Sequence, residues 1–319
     1  MMLDAEVAAL LPALDSGFPQ VDIMTGSQAR AAIRARFRPP AEPTPVRRVT
    51  ERRIPGPAGP IRLRIYWPTV ISIEPLPIVV FAHGGGFVFC DLDTHDDLCR
   101  RMANGIGAVI VSVDYRLAPE QPWPAAPEDV YTAASWAADH AAEIGGDPTR
   151  LAVAGDSAGG NLATVTALLA RDRGGPNLSA QLLLYPVLAA DFETKSYRDF
   201  ASGFYNTRSA MRWYWDQYIP DTRDREQHTA SPLRAQLSGL PPAVFVTAEY
   251  DPLATEGAVY VNALRASGVS VIHRSYAAVH GFMSINALTI ARRAQERAWT
   301  DLDALLRPKI IQSSSGCSA

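Results

Sequence analysis

Ser157 lies in Gly155-Asp156-Ser157-Ala158-Gly159, the G-x-S-x-G spacing that lifts a serine hydroxyl on a sharp strand-to-helix turn. The apolar run "LAVAG" before it and the run "AGGNLATVTALLARD" after it supply the strand and the helix. Small neighbours keep the turn tight and let another backbone approach. The same position also suits a plain helix N-cap serine, so the pentapeptide alone decides nothing. A hydroxyl becomes a nucleophile only with a base in hydrogen-bond reach and a third group to hold that base.

On a strand-turn-helix elbow the expected chain order is serine, acid, histidine. Three histidines follow Ser157: His228, His273 and His280. His228 falls in a polar stretch. His273 lies inside "SVIHRSY", where its side chain is committed to a sheet face. His280 follows that strand in "AAVHGFMS", where Gly281 permits a turn that brings an imidazole over the serine. For the acid, "AVFVTAEYDPLATEG" puts Asp251 just past a strand end and ahead of Pro252, where open α/β sheets mount functional side chains. Glu249, within the strand, and Glu256, at the start of the next helix, are its rivals. Glu256 could simply complement the helix dipole.

Acyl transfer also needs donors for a developing oxyanion. "FAHGGGFVF" follows an apolar strand, and Gly84, Gly85 and Gly86 free its backbone to turn N–H groups inward. The Ala158 amide adds a donor from the helix start. No G-K-[ST] accompanies the glycine run, which sets phosphate binding aside.

The elements that must position these groups alternate. "IVVFA", "AVIVSV", "LAVAG", "QLLLY", "AVFVTA" and "SVIHRSY" are short strand-like runs, the first four continuously apolar as strands covered on both faces are. Helical segments at about 126–141, 158–172 and 255–267 lie between most of them, and a last helix spans roughly 287–306. This alternation predicts an α/β fold with a mostly parallel central sheet flanked by helices. Ahead of it, "VTERRI" and "IRLRIYW" around "PGPAGP" read as an antiparallel hairpin. Two helical stretches, "EVAALLPALD" and "SQARAAIRARF", fill the first forty residues. A polar, aromatic-rich stretch interrupts the alternation from Asp191 to about Arg225. Segments 1–40 and 191–225 are therefore expected to form a helical cap over a core of 41–190 and 226–319.

Bulk properties exclude several classes. The chain has 319 residues, 47% of them hydrophobic, enough for a large core. The formal charge of −3, with interspersed signs, lacks the basic face of a nucleic-acid binder. The apolar runs are too short to span a bilayer, so no stable membrane insertion is expected. The N-terminus carries acids and no basic n-region, unlike a signal peptide. Cys90, Cys99 and Cys317 are too few for a disulfide framework and suit a reducing, cytoplasmic compartment. The tail "QSSSGCSA" has the composition of a disordered end.

Together, "HGGGF", "DYRLAPEQPWPAAPED", "GDSAGGNLA", "YDPL" and "HGF", in this order over residues 45–305, resemble the hormone-sensitive-lipase-like carboxylesterases, a branch of the α/β-hydrolases. The resemblance implies Ser157 as nucleophile, His280 as base and then acid, and Asp251 as the group that orients the imidazole. It implies Gly85, Gly86 and Ala158 as oxyanion donors, a cap, no cofactor, no metal, and esters of short to medium acyl chains as substrates. It also admits a homodimer paired through the sheet edge or the last helices. One departure is local: the family often continues "DPL" with Arg-Asp-Glu-Gly, and this chain has Ala254-Thr255-Glu256-Gly257. Three alternatives share the pattern: amide or lactone hydrolysis, a lipase, and a receptor-like protein that binds without hydrolysing. Such receptors replace the base histidine, which is present here. The insertion's rings (Phe204, Tyr205, Trp213, Tyr214, Trp215, Tyr218) could form a lipase's apolar face; they read instead as packing that narrows an acyl pocket.

Overall fold

Alternate residues of "LPIVVFA" face opposite sides of the sheet, and every one of them is buried. Such a strand needs cover on both faces. A computed structural model, which describes residues 2–307, provides it. The tail composition and Cys317 lie outside the described residues.

The first helices are α1 (Ala5–Gly17) and α2 (Gly26–Arg36). Then come the hairpin strands β1 (Arg48–Ile54) and β2 (Ile61–Trp67), paired antiparallel, and β3 (Leu76–Ala82). Helix α3 (Asp96–Ile106) leads to β4 (Val109–Asp114), and α4 (Ala125–Asp139) to β5 (Gly146–Asp156). Helix α5 (Ala158–Arg173) precedes β6 (Ala180–Leu184). Helices α6 (Lys195–Asp199) and α7 (Arg208–Tyr218) fall in the aromatic stretch. The chain closes with β7 (Ala243–Tyr250), α8 (Ala254–Ala266), β8 (Val271–Val279) and α9 (Thr289–Leu306).

The eight strands are ordered β1-β2-β4-β3-β5-β6-β7-β8. The β2–β4 pair is antiparallel, and from β4 to β8 every pair is parallel. Ile78, Val80 and Ala82 of β3 share one core with residues of α4 and α5, such as Val130, Ala133 and Leu162. Val79 and Phe81 share the other with Leu98 and Met102 of α3 and Trp299 and Leu302 of α9. Helix α5 is buried from Ala158 to Ala170, which explains why its sequence has so little polar face. The expected helices lie within two residues of their observed ends. Helix α3 is an addition, since the strand–helix reading has no element there. Leu98, Met102, Ala103 and Ile106, all buried, give it an apolar face at helical spacing.

The N-terminal helices and the aromatic stretch meet above the carboxyl ends of the parallel strands. Trp213 Nε1 donates to the Met24 carbonyl at 3.0 Å, and the Tyr205 amide donates to Asp15 Oδ1 at 3.0 Å. Arg30 Nη1 reaches down to the carbonyls of Val88 and Ala118, both at 2.9 Å. The rings of α7 do pack inward: Tyr218 stacks on Phe87 with centroids 3.7 Å apart.

Candidate active site

Strand β5 ends at Asp156 and helix α5 begins at Ala158, so Ser157 alone makes the turn. Its backbone is strained, with φ 54° and ψ −118°. The surroundings over-determine that conformation. The Ser157 amide donates to the Leu184 carbonyl at 2.9 Å, and the Ser157 carbonyl accepts from Val187 and Asn161 N–H, both at 3.1 Å. The small residues beside it are a packing requirement. A Cβ on Gly155 would lie 2.1 Å from the Gly159 oxygen, and one on Gly159 would lie 2.0 Å from the Ala82 oxygen.

Asp251 and His280 occupy equivalent places, each one residue beyond the carboxyl end of its strand, β7 and β8. His280 Nε2 lies 2.8 Å from Ser157 Oγ, and His280 Nδ1 lies 2.6 Å from Asp251 Oδ2. A carboxylate accepts, so Nδ1 carries the proton it shares with Asp251, and Nε2 is left to accept from the serine hydroxyl. Asp251 is 1% exposed, and its other oxygen accepts from the Leu253 amide at 3.0 Å. Both carboxylate oxygens are thus held, and the imidazole has a fixed orientation.

The rival groups lie elsewhere. His228 is exposed, and His273 pairs through Nε2 with Thr247 Oγ1 at 2.9 Å. Glu249 accepts from Ser275 Oγ at 3.1 Å, away from His280. Glu256 is not a surface partner of a helix dipole. It is 2% exposed and its Oε1 accepts from the Leu188 amide at 2.7 Å, which anchors the chain that follows β6 beside the site. Burial pushes this carboxyl well above the usual range, and the nearby Asp251 charge adds to the shift. At Ala254-Thr255, where the sequence departs from the family pattern, the local hydrogen bonds join neutral groups. Thr255 N–H donates to Ser196 Oγ at 3.0 Å, and Thr255 Oγ1 accepts from Ser196 N–H at 3.1 Å. Neither bond touches Asp251.

The glycine loop follows β3. The Val88 and Phe89 amides close it on the Gly85 carbonyl, both at 3.0 Å. Gly85 and Gly86 have φ of 118° and 59°, which orients their peptides as side-chain-bearing residues rarely can. The Ala158 amide is the first of α5, at the positive end of that helix.

Sequence reasoning missed the group beneath this loop. Asp156, the variable residue of the G-x-S-x-G spacing, accepts from the Gly84 amide at 2.8 Å and lies 3.4 Å from His95 Nε2. Burial acts to raise its carboxyl, but His95 and the Gly84 amide outweigh burial and hold it below its usual range. His83 stacks on Tyr115 at 4.3 Å, and Tyr115 donates to the His83 carbonyl at 2.7 Å. Burial, reinforced by His95, pushes the His83 imidazole down to about 4. The sequence signal was weak: one histidine before the glycines and one in "DTHDD".

A cavity of about 350 Å³ opens onto Ser157, His280, Gly85 and Gly86. Phe18, Ile33 and Phe37 of the N-terminal segment line it, together with Phe89, Met211 and Tyr214. Tyr214 lies directly on the glycine loop, with its Cδ1 2.4 Å from where a Cβ of Gly86 would be.

A family model described as alpha/beta hydrolase fold matches residues 79–284. A carboxylesterase of Mycobacterium tuberculosis, NlhH, is 45% identical over 287 residues, 88% of each chain. An arylesterase of Saccharolobus solfataricus is 38% identical over 69% of this chain and 72% of its own. Among solved structures, a thermostable esterase from Pseudomonas putida superposes with a TM-score of 0.90 at 40% identity, covering 97% of this chain and 99% of that one. The hyperthermophilic esterase of Pyrobaculum calidifontis gives 0.88 at 40% identity, over 96% and 99%.

Proposed function

Since the chain belongs to the alpha/beta-hydrolase-fold family, in its hormone-sensitive-lipase-like branch, we propose that it hydrolyses short- to medium-chain carboxylic esters with Ser157 as nucleophile. Its reaction class is that of a carboxylic ester hydrolase, the class to which relatives at 45% and 46% identity belong. The observation that carries the residue assignment is the unbroken chain from Ser157 Oγ through His280 to Asp251, at 2.8 and 2.6 Å.

Ser157 Oγ attacks the ester carbonyl while His280 Nε2 takes its proton. The imidazolium forms against Asp251, whose charge needs no reorganisation to receive it. The oxyanion is held by the Gly85, Gly86 and Ala158 amides. His280 then returns the proton to the departing alcohol, leaving an acyl group on Ser157. Water activated by the same imidazole releases the acid. Segments 1–40 and 191–225 act as the cap. Its apolar walls and the modest cavity volume support short to medium acyl chains over long ones. No described helix is long and apolar enough to cross a membrane. The free thiols of Cys90 and Cys99 support a reducing, cytoplasmic setting. A homodimer paired through the sheet edge or the last helices is read directly by light scattering.

Hydrolysis of p-nitrophenyl esters from two to sixteen acyl carbons, by the wild type and Ser157→Ala, tests this reading. Turnover should peak at short or medium chains and vanish in the variant. A peak at the longest chains would make the protein a lipase, and activity kept by Ser157→Ala would remove the nucleophile assignment.

A further inference from the structure

Four neighbouring parallel strands, β5 to β8, each end one residue before a buried side chain. Ser157, Asp251 and His280 are three of those residues, and Tyr185, one past the end of β6, is the fourth. Tyr185 has no part in the reaction as written above. Its backbone is nevertheless as unusual as that of Ser157. Among the described residues, five that carry side chains have positive φ: Phe87, Cys90, Ser157, Tyr185 and Tyr205. Four of them line the catalytic cavity; Tyr185, with φ 38°, does not. Positive φ under a bulky side chain persists only where the surroundings impose it, and such positions gather at functional sites.

The surroundings of Tyr185 belong to the triad. Its amide donates to the Val246 carbonyl of β7 at 2.7 Å. The next residue, Pro186, packs against α5, with its Cβ 2.8 Å from where a Cβ of Gly160 would be. Val187 N–H then donates to the Ser157 carbonyl. The backbone at Tyr185 is thus pinned between the strand that leads to Asp251 and the turn that carries Ser157. Its ring, 2% exposed, goes to the third group. It meets the His280 imidazole edge-on, with centroids 5.1 Å apart and 62° between the planes, an arrangement aromatic rings prefer. It also meets the ring of Phe282, two residues past His280, at 5.9 Å. Tyr185 and Asp251 together line a cleft too small for a water molecule.

The hydrogen bonds of His280 leave one freedom open. Held at Nε2 by Ser157 and at Nδ1 by Asp251, the imidazole has a fixed line through its two nitrogens. Its tilt about that line is not fixed by those bonds. The Nε2 lone pair does not point along the line, so a tilt swings it away from the Ser157 hydroxyl. A side chain packed on the imidazole removes that freedom, and among the described residues Tyr185 is the aromatic ring that does so. We propose that Tyr185 is a positioning residue, whose ring sets the tilt of the His280 imidazole. The inference rests on the Ser157–His280–Asp251 reading of the site.

The test measures kcat and KM on p-nitrophenyl acetate and p-nitrophenyl hexanoate for the wild type, Tyr185→Phe, Tyr185→Leu and Tyr185→Met, with thermal unfolding of each. Two variants remove the ring because Met, the more adaptable side chain, covers the case in which Leu packs too loosely to fold. In the ring-free variants kcat should fall about thirtyfold with KM unchanged, within the roughly 10²-fold that a misplacement of about 1 Å costs. The fall should be equal for both esters, since Tyr185 does not line the cavity. Tyr185→Phe keeps the aromatic contact and should stay within about threefold of the wild type. A wild-type kcat in a folded ring-free variant, a loss in Tyr185→Phe as large as theirs, or an effect carried by KM and different for the two esters overturns the proposal. Ser157→Ala keeps the two failures apart. If it abolishes turnover while the ring-free variants keep theirs, only this inference falls. If it retains turnover, the nucleophile assignment falls first.

Discussion

Replacing Asp251 by Asn keeps the side-chain shape and removes only the charge and one acceptor. Asp251 uses both oxygens, one on His280 Nδ1 at 2.6 Å and one on the Leu253 amide at 3.0 Å. An amide can satisfy only one of them. If its oxygen stays with Leu253, its NH2 faces Nδ1 and forces the imidazole into the tautomer that carries the proton on Nε2. That nitrogen then cannot accept from Ser157. If the amide turns over, the tautomer is kept but its NH2 meets the Leu253 N–H inside a site that is 1% exposed. Such a clash of buried donors costs about 1–3 kcal/mol. The first arrangement avoids the clash and so dominates. In a serine protease the analogous change lowers kcat about 10⁴-fold, and the same order is expected here. That loss corresponds to about 5.4 kcal/mol of transition-state stabilisation, at 1.36 kcal/mol per tenfold. The assay is kcat on p-nitrophenyl butyrate for wild type and variant, with thermal unfolding of both to confirm the fold. A loss below tenfold in a folded variant would refute the argument and return Glu249 and Glu256 to candidacy.

Two further outcomes follow from the packing and the buried carboxyl. Gly159→Ala would place its Cβ 2.0 Å from the Ala82 oxygen, between β3 and α5, so unfolding should come earlier by about 5–10 °C, as an overpacking cost of roughly 3 kcal/mol implies; an unchanged midpoint would contradict the packing. Glu256 has its carboxyl raised in the fold, so the folded state binds its proton more tightly than the unfolded chain does. That contribution is fully present below the ordinary carboxylate range and is lost as pH rises through the folded value. The midpoint of the wild type should therefore fall relative to Glu256→Gln as pH is raised from about 4.5, the ordinary range for Glu. Parallel curves for the two proteins would show that the carboxyl is not buried as described.

The catalytic candidates were legible because their signals are local. Ser157, Asp251 and His280 each stand one residue past a strand end, and strands announce themselves by apolar runs. His273 and Glu249 could be set aside on the same ground, since a residue inside a strand is committed to a face. What stayed hidden depends on long-range contacts. Asp156 reaches Gly84 across 72 positions, and Glu256 reaches Leu188 across 68. No spacing rule predicts either pair. A glutamate at the start of a helix reads as a solvated dipole partner until the chain after β6 is known to lie over it. Helix α3 was open to the same reasoning: Leu98, Cys99, Met102, Ala103 and Ile106 recur at helical spacing, with Arg100, Arg101 and Asn104 on the opposite face.

The hidden contacts also account for how the site holds its geometry. The strained turn at Ser157 places the hydroxyl, and the glycine loop places the amides proposed as oxyanion donors, yet the two belong to different elements. Asp156 joins them: it precedes Ser157 on β5, and its carboxylate holds the Gly84 amide at the head of the loop. A shift of the elbow therefore carries the loop with it. On the opposite side, the Ser157 carbonyl accepts from Val187, and Asn161 Nδ2 donates to the Val187 carbonyl at 2.9 Å. Glu256 ties the next residue, Leu188. Ser157, the proposed nucleophile, is thus fixed from both flanks by buried polar bonds. A conformation as unfavourable as φ 54° for serine persists only under such redundancy. On the proposed mechanism, these bonds tie the hydroxyl to the loop that carries the oxyanion donors, so the stabilising dipoles would stand in place before the substrate arrives, with no rearrangement as charge develops on the ester oxygen.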